Sequence, residues 1–240
     1  MIGQHKKIVL QLSGGKDSIA CLLLLQDKID QIDVVWLNAG SCLPETLEHM
    51  EKLKLLCKSF HEVKTDSIGD TELSGYPCDV LPIRNEADNQ VFTSQVRPKL
   101  QSVMTCCYNN IMRPAHEFSL SLGATLIIRG QKKSDVQKSP VQNGQVINGV
   151  QYWFPLDDWT DAQVIEYVNK AGLLPKHYKE GNTSLDCWHC TAHMQENKFK
   201  LKYLESNYPT LGVELRSRLK IVKSECDKEL NHLNEALSWA

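Results

Sequence analysis

The stretch Leu10-Gln11-Leu12-Ser13-Gly14-Gly15-Lys16-Asp17-Ser18-Ile19-Ala20-Cys21-Leu22 passes from an apolar, β-branched run to a leucine-rich one through a turn of two glycines. Residues 7–12 read as a buried strand, and residues 18–27, apolar on nearly every side, as a buried helix. Between them Gly14 and Gly15 let the backbone come close to a ligand and adopt positive φ. The first turn of the following helix directs free N–H groups and its positive dipole end at the loop, which suits an anion. Lys16 adds a cation, and the hydroxyls of Ser13 and Ser18 add donors. Asp17 has no place in a purely anion-binding nest and is better explained as a ligand of Mg2+ bridging phosphate oxygens. A Walker A loop would require glycine where Leu10 stands, and a Gly-x-Gly-x-x-Gly dinucleotide fingerprint is absent.

Working outward, residues 32–37 form a second apolar strand, and Leu47, Met50, Leu53 and Leu56 give residues 44–60 helical spacing. This β-α-β-α order predicts an α/β fold, a doubly wound and mainly parallel sheet of Rossmann-like type. Region 61–100, with Gly69, Gly75, Pro77, Pro82 and Pro98, reads as a loop-rich segment or lid. A helix is expected over 111–122 and a third strand over 124–128. The Asn143-Gly144 and Asn148-Gly149 pairs make 132–149 a hairpin or mobile loop. Residues 151–156 read as an edge strand closed by Pro155. Thr160 with Gln163 forms a capping box opening a helix that runs to about Lys170. Helices are expected at 197–204 and 211–237, the latter amphipathic. The expected organisation is a nucleotide-binding domain over 1–192, including the cysteines below, and a C-terminal helical appendage over 193–240.

The chain has 240 residues, 42% of them hydrophobic, and a formal net charge of −2, so no global positive field draws in nucleic acid. The longest apolar run, 19–25, is far short of a bilayer span, and the first residues lack a signal-peptide pattern; a cytoplasmic, non-membrane protein is expected. Nine cysteines without a secretory signal point to metal binding or catalysis rather than a disulfide framework. Cys21 and Cys57 lie within apolar helical patterns and read as core residues.

Cys187-Trp188-His189-Cys190 places two thiolates on one turn, and the adjacent pair Cys106-Cys107 is the natural source of two more. Four thiolates suit either tetrahedral zinc or an iron–sulfur cluster, and the chemistry alone does not choose. His189 and His193 are near enough to be considered as ligands, though a supporting role suits each better.

Ser13-Gly14-Gly15-Lys16-Asp17-Ser18 resembles the PP-loop of the ATP pyrophosphatase, adenine nucleotide alpha hydrolase-like superfamily. Three later segments resemble one branch, the phosphoadenosine phosphosulfate (PAPS) reductase family. They are Asn38-Ala39-Gly40 followed by Pro44-Glu45-Thr46-Leu47, then Arg129-Gly130-Gln131-Lys132-Lys133-Ser134-Asp135, then Phe154-Pro155-Leu156-Asp157-Asp158-Trp159-Thr160. The matches run in the family's order from about residue 7 to 192. The resemblance implies that the loop cradles the pyrophosphate of ATP or a related adenine nucleotide, that cleavage falls between the α and β phosphates, and that adenine lies near Leu37–Gly40, with Asn38 and Gly40 lining its site. It implies catalytic roles for Lys16, Asp17 and Arg129, with Gly130 lining the nucleotide site. The Cys-Cys…Cys-x-x-Cys layout, flanked by Gly181-Asn182-Thr183-Ser184-Leu185-Asp186 and Thr191, resembles the iron–sulfur branch. That implies a 4Fe–4S cluster on Cys106, Cys107, Cys187 and Cys190.

Two departures matter. Sulfonucleotide reductases end in a mobile Glu-Cys-Gly-Leu-His tail, whereas here Glu225-Cys226-Asp227-Lys228-Glu229-Leu230 sits in a helical pattern, with Cys226 expected on the apolar side. Reductases usually carry a degraded loop, whereas this one is intact. The favoured expectation is an ATP-dependent enzyme that activates an acceptor at the α-phosphate, in sulfur transfer to a nucleic acid or small molecule from a thiol or other sulfur donor. The alternatives are a sulfonucleotide reductase using Cys226 and a non-catalytic nucleotide-binding module. Arg97, Lys99, Arg113, Arg129, Lys132, Lys133 and Lys138 cluster in sequence around the expected site mouth and raise a nucleic-acid surface as one option. The long terminal helix packs on the core or on a second copy of the chain, as in a homodimer.

Overall fold

The computed structural model describes residues 2–81, 83, 99–135, 139–180, 185 and 187–238. Pro82, Arg97, Pro98, Lys138, Gly181–Ser184 and Asp186 of the sequence reading lie outside these residues.

The first strand, β1 (Ile8–Leu12), runs straight into α1 (Lys16–Leu24). A 3-10 helix over Gln26–Gln31 then leads into β2 (Ile32–Asn38), followed by α2 (Pro44–Lys54). The helix expected to reach residue 60 stops at Lys54, because the chain turns into a third parallel strand, β3 (Ser59–Lys64). Next come α3 (Ser67–Ser74), β4 (Tyr76–Cys78), β5 (Leu100–Ser102) and α4 (Val103–Cys107). A π-helical turn, Tyr108–Met112, joins α4 to α5 (Arg113–Ser121), so the helix expected at 111–122 begins earlier. β6 (Leu126–Ile128) is followed by a hairpin of β7 (Val146–Ile147) and β8 (Val150–Trp153). Its turn is Asn148-Gly149, with φ of 50° and 81°, the left-handed pair that suits a two-residue hairpin. Then follow α6 (Asp161–Lys170), α7 (Lys176–Lys179), α8 (Lys200–Asn207) and α9 (Pro209–Ser238).

The main sheet has the order β3-β2-β1-β6-β8-β7, parallel except for β7. Thus β8, expected at the edge, lies inside it, shielded by the two residues of β7. Both faces are buried, and successive side chains alternate between two cores. Leu10, Leu12, Val34, Trp36, Leu126 and Ile128 pack with α1, α2 and α6. Val9, Val35, Ile127 and Tyr152 pack on the other face with Phe118 of α5. Cys21 belongs to the first core and is fully buried, and Cys57 packs against it.

The order reverses between β1 and β6: from β1 the chain proceeds to β2, and from β6 it proceeds the other way to β8. In an open α/β sheet, the crevice at the carboxyl ends of two such strands is where ligands bind. The Ser13–Ser18 loop leaves β1 there, and the loop beginning at Arg129 leaves β6 there. A second, two-stranded parallel sheet of β4 and β5 stands apart and carries α4 with its cysteine pair. Among the described residues, no helix is long and apolar enough to cross a membrane.

Candidate functional site

The loop after β1 is tied into shape by its own hydroxyls. Ser18 Oγ donates to the Gly15 carbonyl at 2.9 Å and accepts from Ser13 N at 3.1 Å, while Ser13 Oγ accepts from Gly15 N at 3.2 Å. Gly14 sits at φ +86°, a conformation other residues avoid, with α2 beneath it: a Cβ there would stand 3.2 Å from Met50 Sδ. The loop from β6 comes closer still. A Cβ on Gly130 would lie 2.5 Å from the Asp17 carbonyl carbon and 2.7 Å from Ser18 N, so only glycine lets these two backbones meet.

Their meeting builds a lattice of charge. Lys16 Nζ contacts Asp17 Oδ2 and Asp161 Oδ1, each at 2.7 Å. Lys132 Nζ contacts Asp17 Oδ1 at 2.5 Å, Asp135 Oδ1 at 2.7 Å and Asp161 Oδ1 at 3.3 Å. Lys132 is only 1% exposed. Burial disfavours its charge, but the bonds from Asp135 and Asp17 outweigh that and push the ammonium well above the usual lysine range. Asp161 is likewise partly desolvated, yet Lys16 and Lys132 hold its carboxyl below the ordinary range. Lys16 N donates to the Tyr178 hydroxyl at 3.2 Å, and Lys16 Nζ lies 5.8 Å from the centre of that ring. Sequence reasoning missed Tyr178 and Asp161. The capping box at Thr160 was the one signal near Asp161, and it is present: Thr160 Oγ1 accepts from Gln163 N, and the Gln163 side chain answers.

Arg129 points elsewhere. Its Nε donates to Gln11 Oε1 at 2.7 Å, its guanidinium lies 5.5 Å from the Tyr152 ring centre, and Gln11 in turn bonds Ala115 and Ser119 of α5. The side chain therefore faces the α5 side of the sheet, whereas α1 covers the other. Of that loop, Lys132 is the residue whose charge reaches Asp17. The described members of the basic group are largely engaged: Lys99 pairs with Glu225, Lys133 with Asp157 and Asp158, and Lys132 as above.

The segment after β2 is also fixed. Asn38 Oδ1 accepts from Gly40 N at 3.0 Å, and Asn38 Nδ2 donates to Glu62. Gly40, at φ +75°, presses against the Thr65 carbonyl, which a Cβ would approach to 2.9 Å. This segment is hydrogen-bonded to the Cys187–Cys190 loop. Trp188 N donates to the Ser41 carbonyl at 3.3 Å. Arg218 Nη1 lies 3.1 Å from His189 Nδ1; since arginine can only donate, Nδ1 accepts and the proton sits on Nε2. Nε2 then donates to Ser67 Oγ at 3.0 Å, and Ser67 Oγ donates to the Ala39 carbonyl at 2.7 Å. Burial and the nearby Arg218 push His189 down to about 3, so it is neutral. The backbone N–H of His193 donates to the Asp79 carboxylate at 2.7 Å.

The four cysteines are brought into one neighbourhood. Cys106 is buried and Cys107 half-buried on α4, just before the π turn. Burial raises the Cys106 thiol well above its ordinary range, and Cys107, Cys190 and Cys187 raise it further. Burial and Cys190 push Cys107 up to about 11. On the Cys187–Cys190 loop, the 3%-exposed Lys200 donates to the carbonyls of Cys187 at 2.8 Å and Cys190 at 3.0 Å. Among the described residues, no three His, Cys, Asp or Glu side chains already stand around a common point as metal ligands. The donor chemistry fits a thiophilic metal centre: sulfur donors suit a soft metal, which would hold as thiolates the cysteines that are protonated thiols without it.

The chain resembles a solved phosphoadenylyl-sulfate (PAPS) reductase from Candida auris, described as a phosphate complex, at 18% identity and a TM-score of 0.50, covering 75% of this chain and 81% of that one. The fold is adenine nucleotide alpha hydrolase-like. An NH3-dependent NAD synthetase from Campylobacter jejuni, in complex with the nitrate ion, aligns at 15% identity and a TM-score of 0.45 over 90% of this chain and 85% of that one. No family model and no curated protein sequence matches the chain. The loop after β1 and the loop after β6 touch at the reversal of strand order.

Proposed function

We propose that the protein is an adenine-nucleotide enzyme that binds ATP with Mg2+ at Ser13–Ser18 and activates an acceptor at the α-phosphate, in sulfur transfer. The observation that carries this reading is the convergence of the two loops at the reversal of strand order, where Lys16, Asp17, Lys132 and Asp161 form one ionic group. The loop N–H groups and Lys16 would receive the pyrophosphate oxygens and stabilise the charge that builds on them as the α–β bond breaks. Asp17 and Asp161 offer the hard carboxylate oxygens that Mg2+ prefers. Lys132 would pass from carboxylate to phosphate contact as the nucleotide enters. Adenine would lie against Asn38–Gly40. Arg129, bound to Gln11 and Tyr152, would act on the acceptor side rather than on the β–γ phosphates.

Cys106, Cys107, Cys187 and Cys190 would hold a 4Fe–4S cluster. Such a cluster supplies one-electron chemistry and a soft iron site that binds sulfur. The sulfonucleotide reductase reading needs a free nucleophilic cysteine on a mobile tail, and Cys226 is 6% exposed in the middle of α9.

Anaerobically purified protein is expected to contain iron and sulfide, to bind ATP with Mg2+, and to release pyrophosphate with the right acceptor. Lys16→Ala should weaken ATP binding roughly 10- to 100-fold, the worth of one charge-assisted contact. Absence of both ATP binding and pyrophosphate release from cluster-loaded protein removes the proposal. Sulfite release from adenylyl sulfate, lost in Cys226→Ser, would replace it with the reductase.

A further inference from the structure

Two cysteines outside the clustered four lie against each other. Cys78 ends β4 and Cys226 lies on α9, 148 positions apart in sequence, yet their Sγ atoms are 3.9 Å apart. Both are buried, 3% and 6% exposed, in a small apolar cluster with Val222, Tyr76, Leu81 and Leu100. The surroundings hold the two elements in register: Lys99 Nζ meets Glu225 at 3.0 Å, and the Arg218 guanidinium lies 5.3 Å from the Tyr76 ring centre. A disulfide needs its sulfurs at about 2.05 Å, so closure asks roughly 2 Å of movement, within reach of side-chain rotation on backbones already facing each other.

We infer that Cys78 and Cys226 are a dithiol–disulfide pair, and that their oxidation by hydrogen peroxide fastens helix α9 to strand β4. One thiol gives up its proton and attacks the peroxide, forming a sulfenic acid and releasing water. The second thiol displaces the sulfenic oxygen as a second water, and the S–S bond forms. Two sulfurs are each oxidised by one electron, and the two peroxide oxygens are reduced. Burial and the facing Cys78 push Cys226 up to about 11, so that thiol stays protonated near neutral pH and reacts slowly. The bond has a structural reach beyond its own cluster. The Pro77 carbonyl of β4 accepts from Thr191 Oγ1 at 2.6 Å, and the Asp79 carboxylate accepts from His193 N at 2.7 Å, so β4 carries the end of the Cys187–Cys190 loop. Oxidation therefore anchors the terminal helix to the strand on which that loop rests. The inference stands whether or not the four other cysteines hold a cluster.

The test is treatment of the full-length native chain with hydrogen peroxide, alkylation of remaining thiols, and peptide mapping by mass spectrometry without reductant, with thermal denaturation in parallel. The expected result is a linked Cys78–Cys226 peptide that dithiothreitol releases, and a higher denaturation midpoint for the oxidised protein. The rise should be absent in Cys78→Ser. Recovery of both residues alkylated, or linked mainly to other cysteines, overturns the pairing. A linked peptide with no rise in midpoint overturns the fastening. The wild-type map decides the pairing even if Cys78→Ser fails to fold.

Discussion

Gly130 has no room for a side chain, and its neighbours are backbone atoms that cannot swing away. Gly130→Ala should cost about 1–3 kcal/mol, the usual penalty for overpacking, and weaken nucleotide binding by at least about tenfold as the two loops are forced apart. Gly123 is the control: its φ is +79° but nothing lies within 4 Å of a Cβ there. Gly123→Ala should cost about 1–2 kcal/mol of left-handed strain and leave binding alone. Denaturation and titration calorimetry on both variants would separate the two effects. Lys132→Met should also destabilise, by about 1–3 kcal/mol, because Asp135 loses its Lys132 partner and Lys16 is left to serve the carboxylates of Asp17 and Asp161. At this scale the Ser13–Ser18 loop was legible because its residues carry their meaning locally. Tyr178 and Asp161 were not: a tyrosine in a four-residue helix and an aspartate at a helix start look ordinary until tertiary packing sets them on Lys16.

The elements follow the same division. The capping box that opens α6 was readable from Thr160 and Gln163, and Thr160→Ala should cost about 1 kcal/mol, seen as a lower denaturation midpoint. The strand β3 was hidden because Leu53, Leu56 and Phe60 continue a helical spacing, while its own partly exposed edge position leaves no strong alternation. The π turn after α4 was hidden because an extra residue in a helix changes no local pattern. Helix α7 brings a different kind of strain. Among the described residues neither ring nitrogen of His177 has a hydrogen-bond partner within 3.5 Å, Glu45 Oε1 lies 3.7 Å from Nδ1, and burial pushes the imidazole down to about 4. Between about pH 4 and 6.5 the unfolded chain therefore holds a proton here that the folded chain does not. Stability should rise with pH across that window and fall as the solution is acidified through it, by up to about 3 kcal/mol from this group. In His177→Phe, urea midpoints measured from pH 4 to 7 should give a flatter profile than wild type.

For the whole molecule, the β-α-β-α beginning was enough to expect a parallel, doubly wound sheet. The reversal of order between β1 and β6 needed the pairing itself, since strand neighbours distant in sequence leave no trace in periodicity. The spacing of Cys106, Cys107, Cys187 and Cys190 was visible in the sequence, whereas the buried Lys200 and Arg218, bonded to the Cys187–Cys190 loop, gave no local sign. At the other end, α9 is buried only as far as Cys226, and residues 228–238 are exposed. Removing residues 231–238 should shift stability by no more than about 0.5 kcal/mol and leave nucleotide binding unchanged, measured by denaturation and calorimetry.

The ionic lattice at the two loops carries a consequence for selectivity. Around Lys16 and Lys132 the carboxylates of Asp17, Asp135 and Asp161 outnumber the ammoniums by one. A guest bearing only negative oxygens would compete with acids already in place and add to their repulsion. A guest arriving with its own divalent cation offers the lysines new anions and the acids a new cation, so every partner lost is replaced. On the proposed reading, the crevice would therefore take a metal-bound polyphosphate in preference to bare phosphate, and titration with ATP in the presence and absence of Mg2+ should show the difference.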